Sequence, residues 1–351
     1  MLERFAENPI IEPSHVRPSR EDFEVVCALN AGAIQMPDGS VLLLMRVAER
    51  PKDVRQGWAT APLLDLTHND RQITVLRCRI DDADYNPVDP RWFIYQGQKY
   101  LTSISHLRVA RSQDGRHFQI DPAPALVAER TCEEFGVEDP RITYLEGRYW
   151  ITYTAVSRHG IATALASTED FHKFQRHGVI FCPENRDVTI FPERIGGRYV
   201  CHHRPVPVNI GQASMWVAWS DDLVHWGDHA YLMGGRADTW DSGRIGGGAV
   251  PIKTERGWLA VYHGADHQNR YCLGAVLVDL DDPGRVLARS RKPLMAPEAE
   301  YEVHGFFGNV VFSSGAVLTD DVLTVYYGAA DQCLAGATIA LQEVLGQLEP
   351  A

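Results

Sequence analysis

One unit recurs along this 351-residue chain, and the recurrence restricts the fold more than any other property of the sequence. It begins with a Gly or Asp turn and runs into a strand of alternating β-branched and aromatic residues. Copies stand at 37–46 (PDGSVLLLMR), 95–103 (YQGQKYLTS), 145–153 (LEGRYWITY), 195–203 (IGGRYVCHH), 254–264 (TERGWLAVYHG) and 319–328 (TDDVLTVYYG). In several copies a second strand follows and closes with Ser, an acidic residue and an aromatic, as in LRVARSQDGRHF, IATALASTEDFHKF and MWVAWSDDLVHW. The repeated element is a hairpin or small meander. Starting points fall about 50 to 65 residues apart, near the spacing of kelch-like blades, and amphipathic helical patterns are almost absent. An all-β fold of four-stranded blades around a central channel fits. Six copies allow five or six blades, since first and last copies often share one closing blade. We take five, a single five-bladed β-propeller over residues 1–351. In such a ring the inner strands aim their loops at the channel, so a site is assembled from distant parts of the chain.

Composition narrows the partners. Apolar residues make up 45% and charged residues 23%, which is ordinary for a globular protein and excludes a disordered or fibrous chain. Lys and Arg number 34 against 46 Asp and Glu, a net charge of −12, and no basic run reaches five residues, so nucleic acid and anionic membrane are disfavoured partners. Neither a membrane span nor a secretory signal is expected: no apolar stretch nears the roughly 18 residues of a span, and MLERFAENPIIEPS is acidic without an apolar core. The seven cysteines (Cys27, Cys78, Cys132, Cys182, Cys201, Cys272 and Cys333) never form a CxxC pair and read as reduced thiols of a cytoplasmic protein without a zinc site. Cys201 beside His202 and His203 reads as a small strand residue rather than a ligand or nucleophile.

Polar clusters interrupt the strands at equivalent places: CALNAG at 27–32, Arg46, VDPR at 88–91, GVEDPR at 136–141, ENRDVTIFPER at 184–194, HHRP at 202–205, TWDSGRIGGG at 239–248, YHGAD at 262–266, GFFGNVVF at 305–312 and YYGAAD at 326–331. Singly, an acidic residue before Pro is a turn initiator and a Trp-Asp pair a packing contact. Together they pool carboxylates, arginines and aromatics at channel-facing positions. This is the chemistry of a carbohydrate site, in which carboxylates bond hydroxyls and deliver protons while aromatic faces pack on sugar rings.

The long phrases GVEDPRITYLEGRYWITYTAVS and ENRDVTIFPERIGGRYVCHHRP, followed by WDSGRIGGGAVPIKT, GWLAVYHGAD and YYGAAD, resemble glycoside hydrolase family 130 from about Asn30 to Asp331. That family comprises β-mannoside phosphorylases and hydrolytic relatives on five-bladed propellers. The resemblance implies an inverting phosphorylase with one catalytic carboxylate, because phosphate is already an anionic nucleophile. It implies Asp139 as general acid, its proton passing through the mannosyl 3-hydroxyl. Glu138 is the rival, although strand alternation turns neighbouring side chains apart. Arg186, Arg204 and His263 match phosphate-binding positions, with Arg186 standing where near relatives carry Lys; bidentate guanidinium suits an oxyanion. For each of the latter two a structural role, ion pairing for Arg204 and core packing for His263, is the competing reading.

Asn30, Arg46, Asp89 and Asp331 are the candidates for holding the mannosyl ring, with Arg141 of EDPR alongside. Asp241 and Arg244 either line the leaving-group side or brace their loop. Tyr262, Tyr327, Phe306 and Phe307 are candidate sugar platforms or inter-blade packing. No metal or cofactor is called for, with inorganic phosphate as co-substrate, and a homo-oligomer is left open. The expected reaction is phosphorolysis of a terminal β-mannosyl unit to α-mannose 1-phosphate, with a β-1,2-linked substrate favoured and β-1,4-mannosyl-glucose or β-1,4-mannosyl-N-acetylglucosamine open. An inverting β-mannosidase would need further central glutamates and lost phosphate ligands, and a non-catalytic sugar-binding propeller would tolerate a neutral residue at the acid position.

Overall fold

A computed structural model describes residues 2–67 and 72–351. The fold is all-β, with two short α-helices, Glu300–Val303 and Leu341–Gly346. Among the described residues no helix is long and apolar enough to cross a membrane.

Five antiparallel meanders follow one another along the chain. The first joins Phe23–Gln35, Val41–Pro51, Ile104–Ser112 and Gln119–Ile120; the second Gly136–Leu145, Arg148–Ser157, Gly160–Thr168 and Phe174–Phe181; the third Asn185–Ile190, Tyr199–Pro205, Met215–Ser220 and Gly227–Met233. The fourth runs from Arg244–Gly247 through Gly257–Ala265 and Tyr271–Val278 to Val286–Ser290, and the fifth joins Val311–Thr319, Val322–Ala329 and Cys333–Ala340. The N-terminal strand Glu3–Arg4 completes the fifth by pairing with Cys333–Ala340. Inner strands are covered on both faces, as in Gly257–Ala265, where every residue is buried, so they read as nearly continuous apolar runs; outer strands such as Gly227–Met233 are half exposed.

Successive meanders pack side by side, and the fifth returns to the first. An apolar cluster fills each junction: Leu44, Leu107 and Ile151 between first and second; Leu165, Val188 and Cys201 between second and third; Phe191, Val217 and Trp258 between third and fourth; Leu259, Leu273 and Val325 between fourth and fifth; Leu43, Met45 and Tyr326 between fifth and first. Third strands end in Asx turns of one design, with Asp114, Asp170 and Asp222 each accepting two backbone N–H bonds and Ser112, Thr168 and Ser220 beside them. These are the Ser or Thr, acidic and aromatic closures read from the sequence.

Five of the six turn-strand copies enter the second strands of the five meanders. The sixth, at 95–103, does not. It belongs to an insertion between the second and third strands of the first meander, made of a hairpin, Trp58–Leu64 with Ile73–Arg79, and a three-stranded sheet, Tyr85–Asp89, Trp92–Tyr95 and Gln98–Leu101. The surplus copy therefore does not come from a blade shared by the first and last copies: a hairpin in an insertion uses the same turn chemistry as one in a meander, and local sequence cannot separate them.

Candidate active site

The first strands of the first three meanders break register at corresponding points, between Leu29 and Gly32, Glu138 and Arg141, and Arg186 and Thr189. At each break one residue takes a left-handed backbone: Asn30 with φ 45°, Asp139 with φ 48° and Asp187 with φ 59°. Asn and Asp tolerate this region better than other side-chain-bearing residues, and a bulge re-aims side chains that a regular strand would alternate. All three line one cavity of about 860 Å³ together with Arg46, Glu138, Arg186, Arg204, His263 and Asp331.

Arg46 organises the acidic side. Its Nη2 donates to Glu138 Oε1 at 2.7 Å, its Nη1 to Asp139 Oδ1 at 3.3 Å and its Nε to Ser105 Oγ at 3.0 Å. Asn30 Nδ2 donates to the same Asp139 Oδ1 at 2.9 Å, so among the described residues Asp139 Oδ2 has no protein partner. Glu138 and Asp139 therefore face the same cavity, and the expectation that alternation turns them apart is corrected: the left-handed Asp139 interrupts the period of two. Burial raises the Glu138 pKa, with Arg46 opposing and Asp139 adding to it. Asp331 is pushed up to about 6, chiefly by burial; Arg46 and Arg91 oppose, and Asp139 and Asp89 reinforce.

The cationic side is built on Asp187, which is 2% exposed. Arg141 Nη2 donates to its Oδ1 at 3.1 Å, Arg204 Nε lies 2.7 Å from Oδ2 in an ion pair not aligned for a hydrogen bond, and His263 Nε2 lies 3.5 Å from the same oxygen. Burial works to raise the Asp187 pKa, but Arg204, His263, Arg141 and Arg186 outweigh it and hold the carboxyl well below its usual range. Burial lowers the His263 pKa to about 3, with Asp187 opposing. A Cβ on Gly246 would stand 2.4 Å from Asp187 Oδ2 and 2.6 Å from His263 Cε1, so only glycine admits this approach. Arg186 and Arg204 are directly opposite across the Asn185–Ile190 and Tyr199–Pro205 pair. Like charges so placed repel. The nearest carboxylate to Arg186 is Glu184 at 3.5 Å, while the buried Arg186 Nε and His263 Nδ1 lack hydrogen-bond partners.

The remaining candidates lie around this cavity at different depths. Arg141 is 2% exposed and donates to the Gly247 and Gly248 carbonyls as well as to Asp187, behind the cavity wall. Asp89 holds Arg91 through Nη2 at 3.0 Å, and Arg91 extends to Asp331 at 3.8 Å and lies 4.0 Å over the Phe307 ring. Asp241 is sealed from solvent and accepts from Arg236 at 2.8 Å, Arg289 at 2.7 Å and the Tyr262 hydroxyl at 2.9 Å, so this carboxylate and Tyr262 brace the fourth meander. Arg244 bonds Asn269 and, at 2.7 Å, the hydroxyl of Tyr271, which itself lines the cavity. Tyr327 is buried and donates to Glu302 at 2.8 Å, whereas Phe306 reaches the cavity. Sequence reading held Asp187 and Arg91 only within polar clusters, with no role of their own, and passed over Trp92 and Tyr271. For Asp187 a signal existed, since Asn30, Asp139 and Asp187 are each an Asn or Asp set within a strand-like segment.

Comparison with known proteins identifies the family. Residues 88–349 match the family model described as beta-1,4-mannooligosaccharide phosphorylase. The chain is 46% identical over 350 residues to a Listeria innocua protein named beta-1,2-mannobiose phosphorylase, covering 99% of this chain and 98% of that one. It is 40% identical over 249 residues to a 1,2-beta-oligomannan phosphorylase of Thermoanaerobacter, covering 70% and 82%. The solved structure of the Listeria innocua enzyme in complex with beta-1,2-mannobiose superposes with a TM-score of 0.94 at 45% identity, over 99% of this chain and 98% of that one. On the family match and the near full-length identity to the Listeria innocua protein, the chain belongs to glycoside hydrolase family 130.

Proposed function

We propose that this protein is an inverting glycoside phosphorylase that cleaves a terminal β-mannosyl unit with inorganic phosphate and releases α-mannose 1-phosphate. The observation that carries the reading is the pair Arg186 and Arg204, opposed across two strands beside His263, with buried N–H groups unpartnered in a cavity shared with Asp139. Opposed guanidinium groups with spare donors are stabilised by an oxyanion between them. A phosphate oxygen forms the new bond to the anomeric carbon as the bond to the leaving sugar oxygen breaks, and that oxygen takes the proton that Asp139 supplies through the mannosyl 3-hydroxyl. The Asn30 and Arg46 bonds both land on Asp139 Oδ1, which leaves Oδ2 as the oxygen available to carry the proton. Asn30, Arg46 and Asp331 then hold the mannosyl hydroxyls, phosphate is the co-substrate, and no cofactor takes part.

The β-1,2 linkage is supported by the names of the relatives from Listeria innocua and Thermoanaerobacter. The proposal includes the architecture: the five meanders, packed in cyclic order and closed by Glu3–Arg4, are the blades of one five-bladed propeller over residues 1–351, the site at one mouth of its channel. It also includes a cytoplasmic setting, which the seven unpaired cysteines support. Incubation with β-1,2-mannobiose, with and without phosphate, tests the activity. Phosphate-dependent release of α-mannose 1-phosphate is expected. Release of free mannose at a comparable rate without phosphate would make the protein a mannosidase.

A further inference from the structure

Resting on that reading, we infer that Trp92, carried by the insertion in the first meander, is the stacking platform for the leaving-group sugar, the acceptor in the synthetic direction. In an inverting displacement the nucleophile and the leaving group occupy opposite faces of the sugar ring. The phosphate groups, Arg186, Arg204 and His263, come from the third and fourth meanders. In a cyclic order of five, those two stand across the channel from the first. The leaving sugar therefore points toward the first meander and its insertion, which lines the cavity through Arg91, Trp92, Gln98, Lys99, Leu101 and Ser103.

Alternation within the strand Trp92–Tyr95 sets which aromatic faces that way. Phe93 is 2% exposed and joins Ala61 and Cys78 in the insertion's own core, where Tyr85, Tyr95 and Tyr100 also pack. Trp92 points to the opposite face of the sheet, is partly exposed, and lines the cavity. Its ring face accepts a positive edge, for the Lys99 ammonium stands 4.7 Å from the ring centroid. The C–H face of a pyranose is electropositive in the same sense and is offered the same surface, with the exposed Lys99 side chain free to swing aside. The platform is also tied to the catalytic end, because the adjacent Arg91 is clamped by Asp89 at 3.0 Å and reaches Asp331 at 3.8 Å. Of the aromatics on the meander strands, Tyr262 and Tyr327 are each 0% exposed, and Tyr271 and Phe312, which line the cavity, stand on the fourth and fifth meanders and not on the first.

The test is synthesis from α-mannose 1-phosphate with mannose as acceptor, comparing the wild type with Trp92→Leu and Trp92→Phe. Leu keeps apolar bulk without a ring, and Phe restores a ring. Trp92→Leu should raise the acceptor KM about tenfold while the KM for α-mannose 1-phosphate stays within about twofold, and Trp92→Phe should recover most of the loss. An acceptor KM unchanged in Trp92→Leu, or both KM values rising together without rescue by Phe, would overturn the platform alone. A wild-type chain that makes no product would overturn the phosphorylase reading and the platform with it.

Discussion

Replacing Asp331 by Asn should stabilise this protein above neutral pH while harming its recognition of sugar. Burial is the main reason the Asp331 carboxyl is pushed up from 3.8 to about 6, and the opposing guanidinium groups of Arg46 and Arg91 do not compensate. Well below pH 3.8 the group is neutral in both the folded and unfolded chain, so it costs nothing. As pH rises past that point the unfolded chain releases its proton while the folded chain keeps it, and stability falls until the folded group ionises near 6. At about 1.36 kcal/mol per pKa unit, the loss is about 1 kcal/mol at pH 4.5 and about 3 kcal/mol at pH 7.5. Asn keeps the shape and removes the charge; Arg46 retains Glu138 and Asp139, and Arg91 retains Asp89. With an unfolding entropy of about 2.1 cal/mol/K per residue, a chain of this length changes its Tm by roughly 1.4 °C per kcal/mol, so the variant should melt about 4 °C higher at pH 7.5 and only about 1 °C higher at pH 4.5. Thermal scans without phosphate or mannoside measure this directly. A variant that melts lower at pH 7.5, or an offset equal at the two pH values, would refute the argument that this charge is held at a cost. In turnover the KM for the mannoside should rise more than that for phosphate, since a carboxylate bonds sugar hydroxyls and repels an anion.

Four further substitutions separate the roles. Asp139→Asn should lower kcat by about a hundredfold or more with little change in melting temperature, the usual size of a general-acid effect; near-normal turnover would move the role to another carboxylate, with Glu138 on the same arginine the first to test. Arg186→Ala removes a partly exposed guanidinium with only a 3.5 Å contact to Glu184, so phosphate KM should rise about tenfold or more with stability held, whereas Arg204→Ala should weaken phosphate and also lower the melting temperature by uncovering buried Asp187. Equal effects on both substrates would remove the phosphate assignment. Asp241→Ala strands Arg236 and Arg289 and should cost about 3 to 5 kcal/mol of stability, with neither KM shifted selectively; a change in acceptor KM at unchanged stability would place Asp241 in the site after all.

The repeat, the all-β class and the pool of polar clusters are properties of the sequence alone, because turn residues and strand alternation act over a few neighbouring positions. Asn30, Asp139 and Asp187 could likewise be noticed as Asn or Asp set within strand-like segments. Where their side chains point is a tertiary matter. The register breaks exist only relative to a partner strand, and they turn Glu138 and Asp139 onto one arginine when alternation alone would part them. The same limit applies to Asp241 and Tyr262, whose types suit a sugar site but whose burial against Arg236 and Arg289 makes them braces. It applies equally to the copy at 95–103, whose turn and strand match the others while its sheet stands in an insertion. Local chemistry determines which strands and turns form. Only the packing of remote segments decides which polar groups meet, because charge, burial and hydrogen-bond partners are set by distance in space and not along the chain.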